Sequence, residues 1–260
     1  MLCVRAAART NAFALHSPPP PLRRNLRSPF SVRMSSSAPN QIIEHVVLLK
    51  AKPSADPSAV NDMVRNLNGL ATLDSVLHIS AGPVTRCRSA SLTFTHLLHA
   101  RYRSKSDLAS YTVDPTHVNV VVNYVKPVVD DVIAVDWVAE DFSGPVVVPP
   151  GAALRLTVMK LKEEAGESGK SEVLGIVRGI QEKFDSIKQL TAGENFSPER
   201  SNGFSIASVA VVKGAEELEA LAAESELVNE QKNKAREFLD GVIVLDFTVP
   251  APVPAAAPSL

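Results

Sequence analysis

Residues 42–52 read IIEHVVLLKAK, and an altered copy, AALRLTVMKLK, returns at residues 152–162. Lys50 and Lys52 fall on Lys160 and Lys162 at a shift of 110. The same shift lays Phe94-Thr95-His96 on Phe204-Ser205-Ile206, and the stretch Val132 to Trp137 on Val242 to Phe247. Ala81-Gly82 meets Ala192-Gly193 at a shift of 111, so one small insertion and one compensating deletion separate the copies. A period this long denotes two whole domains rather than a solenoid of small units. The chain of 260 residues is a tandem duplication, and each copy is long enough to bury its own core.

In the first copy, residues 42–50 are apolar on both faces and read as a central strand, with Ile43, His45, Val47 and Leu49 on one side. Asp56-Pro57 then starts a helix, the aspartate as cap and the proline at the first helical position. Val60, Met63, Val64, Leu67 and Leu70 follow at helical spacing. Residues 76–80 and 92–102 read as the second and third strands. Ser106 can cap a short helix through Tyr111, and Asp114-Pro115 restarts a helix to about Val125. The β-branched run 118–122 favours strand by propensity, but the cap and the helical character of the matching segment 224–239 outweigh it. Residues 132–137 form the fourth strand. The second copy repeats the plan, with strands at 154–161, 204–212 and 242–249, helices at 173–184 and 215–239, and a polar loop insertion at 166–170.

Each copy is therefore β-α-β-β-α-β, an α+β ferredoxin-like unit. One such sheet has an apolar face that its own helices cannot cover, so two sheets are expected to pack face to face into a barrel with helices outside. The domains are then 1–41 leader, 42–142 first unit, 143–151 Pro-rich extended linker, 152–249 second unit and 250–260 exposed tail.

A formal charge of −1 offers no broad basic field for nucleic acid or an acidic membrane. No apolar run reaches the roughly 18 residues of a membrane span. Two cysteines, Cys3 and Cys87, make no disulfide framework, as expected of a protein from a reducing compartment. The first 41 residues are rich in Arg and Ser, and the first acidic residue is Glu44, the composition of an organelle transit peptide. The run Pro18 to Pro21 suits a plastid leader better than a mitochondrial one, while Met34 offers a leaderless start that keeps both units.

No P-loop, GxGxxG, HExxH or GxSxG is present, and no cofactor is implied. The informative feature is histidine placement. The first unit holds His45, His78, His96, His99 and His117, and the second holds none. At the repeat shift His45 becomes Arg155, His96 becomes Ile206, His117 becomes Leu227 and Tyr111 becomes Leu221. One half thus reads as carrying a polar pocket that the other only completes. His45 and His96 project from apolar strand faces, where imidazole can act as acid or base. Tyr111 and His117 flank the Asp114-Pro115 turn at a helix start. The bland alternative is that each histidine is a hydrogen-bonded core or surface residue, the reading kept for His78 and His99. Asp114 and His117, with His45 or His96, would make only a weak metal site, and none is expected.

The IIEHVVLLKAK strand, the FTHLL strand, the turn before DPTHV and the closing VIAVDW strand resemble the stress-response A/B barrel family, and tandem plant members with a leader and Pro-rich tail resemble the chain most. The resemblance implies ferredoxin-like units that pair into a barrel, here as an intrachain pseudo-dimer that can also pair as a homodimer. It also implies a stress or defence role through a small apolar metabolite. One family enzyme, olivetolic acid cyclase, closes a polyketide by aldol chemistry. The resemblance places its pocket histidines at His45, His96 and His117 and one pocket tyrosine at Tyr111. Its other tyrosine falls at Leu67, and a histidine of its turn at Asp114. Two readings follow: a metabolite-binding protein holding its ligand with His45 and His96, or a lyase or cyclase with His117 as base and Tyr111 as orienter or proton donor. For address, the C-terminal Pro-Ser-Leu has the small–x–Leu form of a peroxisomal signal. A resemblance to a peroxisomal tandem member puts the peroxisome first and the plastid second.

Overall fold

The protein is described by a computed structural model over residues 41–140, 142–223 and 225–251. The leader up to residue 40 and the C-terminal Pro-Ser-Leu lie outside the described residues.

The first unit comprises β1 (Gln41–Ala51), α1 (Pro57–Gly69), β2 (His78–Pro83), β3 (Arg86–Ser89), β4 (His96–Tyr102), α2 (Lys105–Val113), α3 (Pro115–Val120) and β5 (Val129–Glu140). The second comprises β6 (Ala153–Leu161), α4 (Gly166–Arg178), β7 (Gln189–Glu194), β8 (Ile206–Val212), α5 (Ala215–Ala223), α6 (Ser225–Arg236) and β9 (Leu239–Thr248). The antiparallel sheets have the orders β2-β4-β1-β5 and β3-β9-β6-β8-β7. β1 and β6 are central, as their two-sided apolar character requires. The caps behave as read at Asp56 and Asp114, which accept from Ser58 N and Thr116 N, each at 2.7 Å. Ser104 rather than Ser106 caps α2, accepting from Asp107 N at 3.1 Å.

The sheets face one another across a shared core. Val46, Leu48, Ile133, Val135 and Trp137 of the first unit pack with Leu154, Leu156, Val158, Leu245 and Phe247 of the second. Burying each such side chain is worth about 1.5–3 kcal/mol, which drives the repeats together. The sheets remain two sheets rather than one closed barrel, yet both edges are stitched. Thr85 N donates to Asp246 O at 2.8 Å, and at the matching seam Phe196 N donates to Asp136 O at 2.9 Å. Close approach at these seams requires glycine at Gly193 and favours it at Gly82. A Cβ on Gly193 would stand 2.8 Å from Trp137 Cδ1, and one on Gly82 would stand 3.3 Å from Phe247 Cε2.

Four local expectations are corrected. β3, unread in the sequence, is a short strand that leaves its own sheet for β9 of the other repeat. The third strand starts at His96, not Leu92. Residues 166–170 are the first turns of α4 rather than a loop. The linker is more than a spacer: Val148 is buried, and the carbonyls of Pro145 and Val146 accept from Arg101.

Candidate functional site

β1 presents alternate residues to the two layers. Ile43 and Leu49 face the helices, packed with Met63, Leu67 and Tyr102, and His45 shares their face by strand alternation. Its Nδ1 lies 2.5 Å from Asp136 Oδ1 on neighbouring β5, and the two residues are cross-strand partners. Asp136 Oδ2 accepts from Arg200 Nη2 of the second repeat at 2.6 Å. Burial works to raise the Asp136 carboxyl, but the hydrogen bonds from His45 and Ser197 and the Arg200 charge outweigh it and hold it below the usual range.

A chain of rings runs outward from this pair. The His45 ring is 6.1 Å from Tyr102 and 6.2 Å from Tyr111, the two tyrosines are 5.2 Å apart, and Tyr111 is 4.3 Å from His117. α2 delivers Tyr111, and the Asp114 cap turns the chain so that α3 lays His117 over it. His117 Nδ1 lies 3.1 Å from Thr112 O. Burial pushes both phenols above their usual range, so their hydroxyls stay protonated and act as neutral hydrogen-bonding groups. Burial likewise lowers His117, against the pull of the Thr112 carbonyl, so this imidazole is neutral at pH 7. α3 continues into a wider π-helical turn at Val121–Val125, an irregularity frequent beside functional sites.

Of the four residues singled out in the sequence, the structure brings together His45, Tyr111 and His117. His96 stands apart. On β4 it pairs with Leu49, whereas His45 pairs with Ala100. Four residues along a strand is about 13 Å, and His96 Nδ1 instead lies 2.9 Å from Thr95 Oγ1. Asp114 is occupied as a helix cap. Among the described residues no group of three or more His, Cys, Asp or Glu side chains is placed to hold a metal.

Tyr102, Asp136 and Arg200 escaped the sequence reading, although the repeat carries a signal for Asp136. Its counterpart Asp246 holds Arg155, the counterpart of His45, at 2.8 Å, and Arg88 from the first repeat at 3.2 Å. Both repeats thus use an aspartate to tie the central strand to an arginine of the other half. Only the first uses an imidazole there, where the second has a guanidinium.

A second polar cluster lies on the opposite face of β1, between the sheets. Fully buried Glu44 accepts from Arg101 Nε at 3.1 and 3.2 Å and from Thr191 Oγ1 at 3.0 Å, and its Oε2 lies 2.7 Å from His99 Nε2. Arg101 also donates to Gln189 Oε1 at 2.6 Å. His78 and Ser80 adjoin it, both buried. Burial would raise Glu44, but Arg101 and His99 win and hold it at about 2. Burial and the nearby cations push His78 down to about 3.

The stress responsive A/B barrel domain matches residues 43–139 and, again, residues 154–249. The chain belongs to the stress-response A/B barrel family. One stress-response A/B barrel domain-containing protein of Arabidopsis thaliana is 51% identical to it over 230 residues, 88% of this chain and 87% of that protein. A second Arabidopsis thaliana protein of the same description is 40% identical over 214 residues, 82% of this chain and 99% of that protein. Among solved structures, an anthrone oxidase-like protein aligns with a TM-score of 0.55, covering 84% of this chain and 97% of that one. At 10% identity this similarity speaks to the fold alone. No helix among the described residues is long and apolar enough to cross a membrane.

Proposed function

We propose that this A/B barrel protein binds a small, largely apolar metabolite on the helix side of its first repeat, in a stress or defence role. The carrying observation is the His45–Asp136 pair buried beneath Tyr102, Tyr111 and His117. The buried Tyr102 hydroxyl makes no hydrogen bond of good geometry among the described residues and leans on the Tyr111 hydroxyl, so displacing Tyr111 frees it as a donor to a carbonyl or hydroxyl of a ligand. Apolar walls with a few convergent polar groups are what metabolite sites use. The rings are in mutual contact, so a ligand enters by displacing Tyr111 and His117 with the α2–α3 segment. Saturation-transfer NMR on the full chain with alkyl-substituted phenolic ketones tests this. Tyr111→Leu is expected to weaken binding about tenfold or more, and His96→Ala to leave it unchanged. Equal binding by the Tyr111 variant removes the pocket from this region.

A lyase or cyclase reading is favoured by one specific feature: neutral His117 lies against the ring of Tyr111, a phenol that stays protonated. His117→Ala would then abolish turnover of a carbonyl substrate with the fold intact, because a helix start tolerates alanine. An unchanged rate excludes His117 as the base.

For address we propose the peroxisome, with the plastid second, from Pro258-Ser259-Leu260. A fluorescent protein fused before residue 1 leaves that terminus free and is expected to become punctate. Diffuse cytosolic signal counts against it.

A further inference from the structure

The two seams of the pseudo-dimer are not equivalent. At one, Asn68 of α1 closes onto β2, donating to Ala81 O and accepting from Ala81 N, both at 2.9 Å. At the repeat shift its place is taken by Arg178 of α4, which reaches the matching carbonyl, Ala192 O, only at 3.4 Å. Beside it, Lys105 at the start of α2 stands where the other seam has Ala215, and Phe196 where it has Thr85. The second seam is consequently open. A groove of about 380 Å³ runs between α2, α4, β5 and β7, lined among others by Lys105, Val138, Glu140, Leu174, Arg178 and Phe196.

We infer that this groove is a second ligand site, separate from the His45 pocket, and that it takes a small monoanion with an apolar body, such as an aryl or medium-chain carboxylate. Val138, Leu174 and Phe196 supply an apolar wall. The Lys105 ammonium sits 4.2 Å from the centre of the Phe196 ring. Neither Lys105 nor Arg178 has a carboxylate partner among the described residues. Of the acids in the groove, Glu194 is already paired with Lys170 at 2.7 Å. Glu140, exposed at the rim, remains. Lys170 is shared with Glu167 at 2.8 Å, so the groove carries no net surplus of charge. A single negative charge would meet Lys105 and Arg178, the two cations without a carboxylate partner, while the neighbouring glutamates oppose a dianion. The Arg178 guanidinium can grip a carboxylate with two parallel hydrogen bonds. Gly193 must stay bare for β7 to approach Trp137, so the groove floor is formed by the seam itself.

The test uses the full chain, anilinonaphthalene sulfonate as the monoanionic aromatic probe and phenylnaphthylamine as its uncharged analogue, both read by fluorescence. The sulfonate is expected to bind saturably. Replacing both Lys105→Gln and Arg178→Gln should weaken it about tenfold, and Glu140→Gln should tighten it about twofold, the scale expected of partly exposed charges. Arg178→Lys retains the charge and should recover part of the loss. These side chains are exposed, so thermal midpoints should not move, and phenylnaphthylamine should not distinguish the variants. Tyr111→Leu should leave sulfonate binding intact, which separates this site from the His45 pocket. Wild-type affinity in the double variant, or failure of the wild type to saturate, overturns the assignment.

Discussion

Arg101→Ala is expected to cost about 3–5 kcal/mol of stability, the scale for breaking a buried ion pair. The guanidinium has no solvent exposure and meets five groups: Glu44, Gln189, the carbonyls of Pro145 and Val146, and the Phe142 ring at 5.1 Å. Truncation leaves a carboxylate buried without its counter-charge, strips donors from three oxygens and opens a cavity. The loss is large against the about 5–15 kcal/mol that holds a domain together. Equilibrium denaturation should show a much lower midpoint. Glu44→Leu combined with Arg101→Met should recover part of the loss, because no net charge then stays buried. A single Arg101→Ala variant within about 1 kcal/mol of wild type would show that the cluster contributes little.

The same cluster sets the response to acid. His78 titrates at about 3 against an ordinary 6.5, and Glu44 at about 2 against 4.5. His99, fully buried, is also lowered, first by desolvation. Each group holds fewer protons folded than unfolded, so acid favours the unfolded chain. The histidine contribution is complete above pH 6.5 and is lost as pH falls toward 3. The Glu44 contribution is complete above 4.5 and is lost toward 2. Together they are expected to remove on the order of 5 kcal/mol between pH 7 and pH 3. Denaturation curves at pH 7, 5.5 and 4 measure this, and His78→Gln should flatten the upper part of the slope. Stability that does not change from pH 7 to pH 4 would contradict the burial of neutral histidines here.

Much of the fold was legible because its determinants are local or repeated. The apolar pattern of β1 and its copy in β6 and the Asp-Pro helix starts at Asp56 and Asp114 each act within a few residues, and the Ala-Gly pairs recur in both copies. The duplication then let one half check the other, which is how residues 114–125 could be read as helix against their β-branched composition. The loss of His45, Tyr111 and His117 from the second half marked the part of the first half that the structure draws together.

What stayed illegible depends on contacts between segments distant in sequence, many of them between the halves. β3 has no partner in its own unit and exists as a strand because β9, about 160 residues away, supplies its hydrogen bonds. Gly166–Lys170 reads as a loop by composition, yet it is helical where Gly169 packs under Phe238. In the sequence His96 and His45 each project from an apolar strand face, but antiparallel register sets them four residues apart. Glu44, His99 and Arg101 look like ordinary alternating polar positions. Only the second sheet, with Gln189 and Thr191, turns their face into an interior, and a charge placed there must be paired. Local pattern and internal repetition determine the elements and their order. Which polar residues meet, and whether water reaches them, is decided when two sheets cover each other, because desolvation is a property of the assembled pair and not of any one segment.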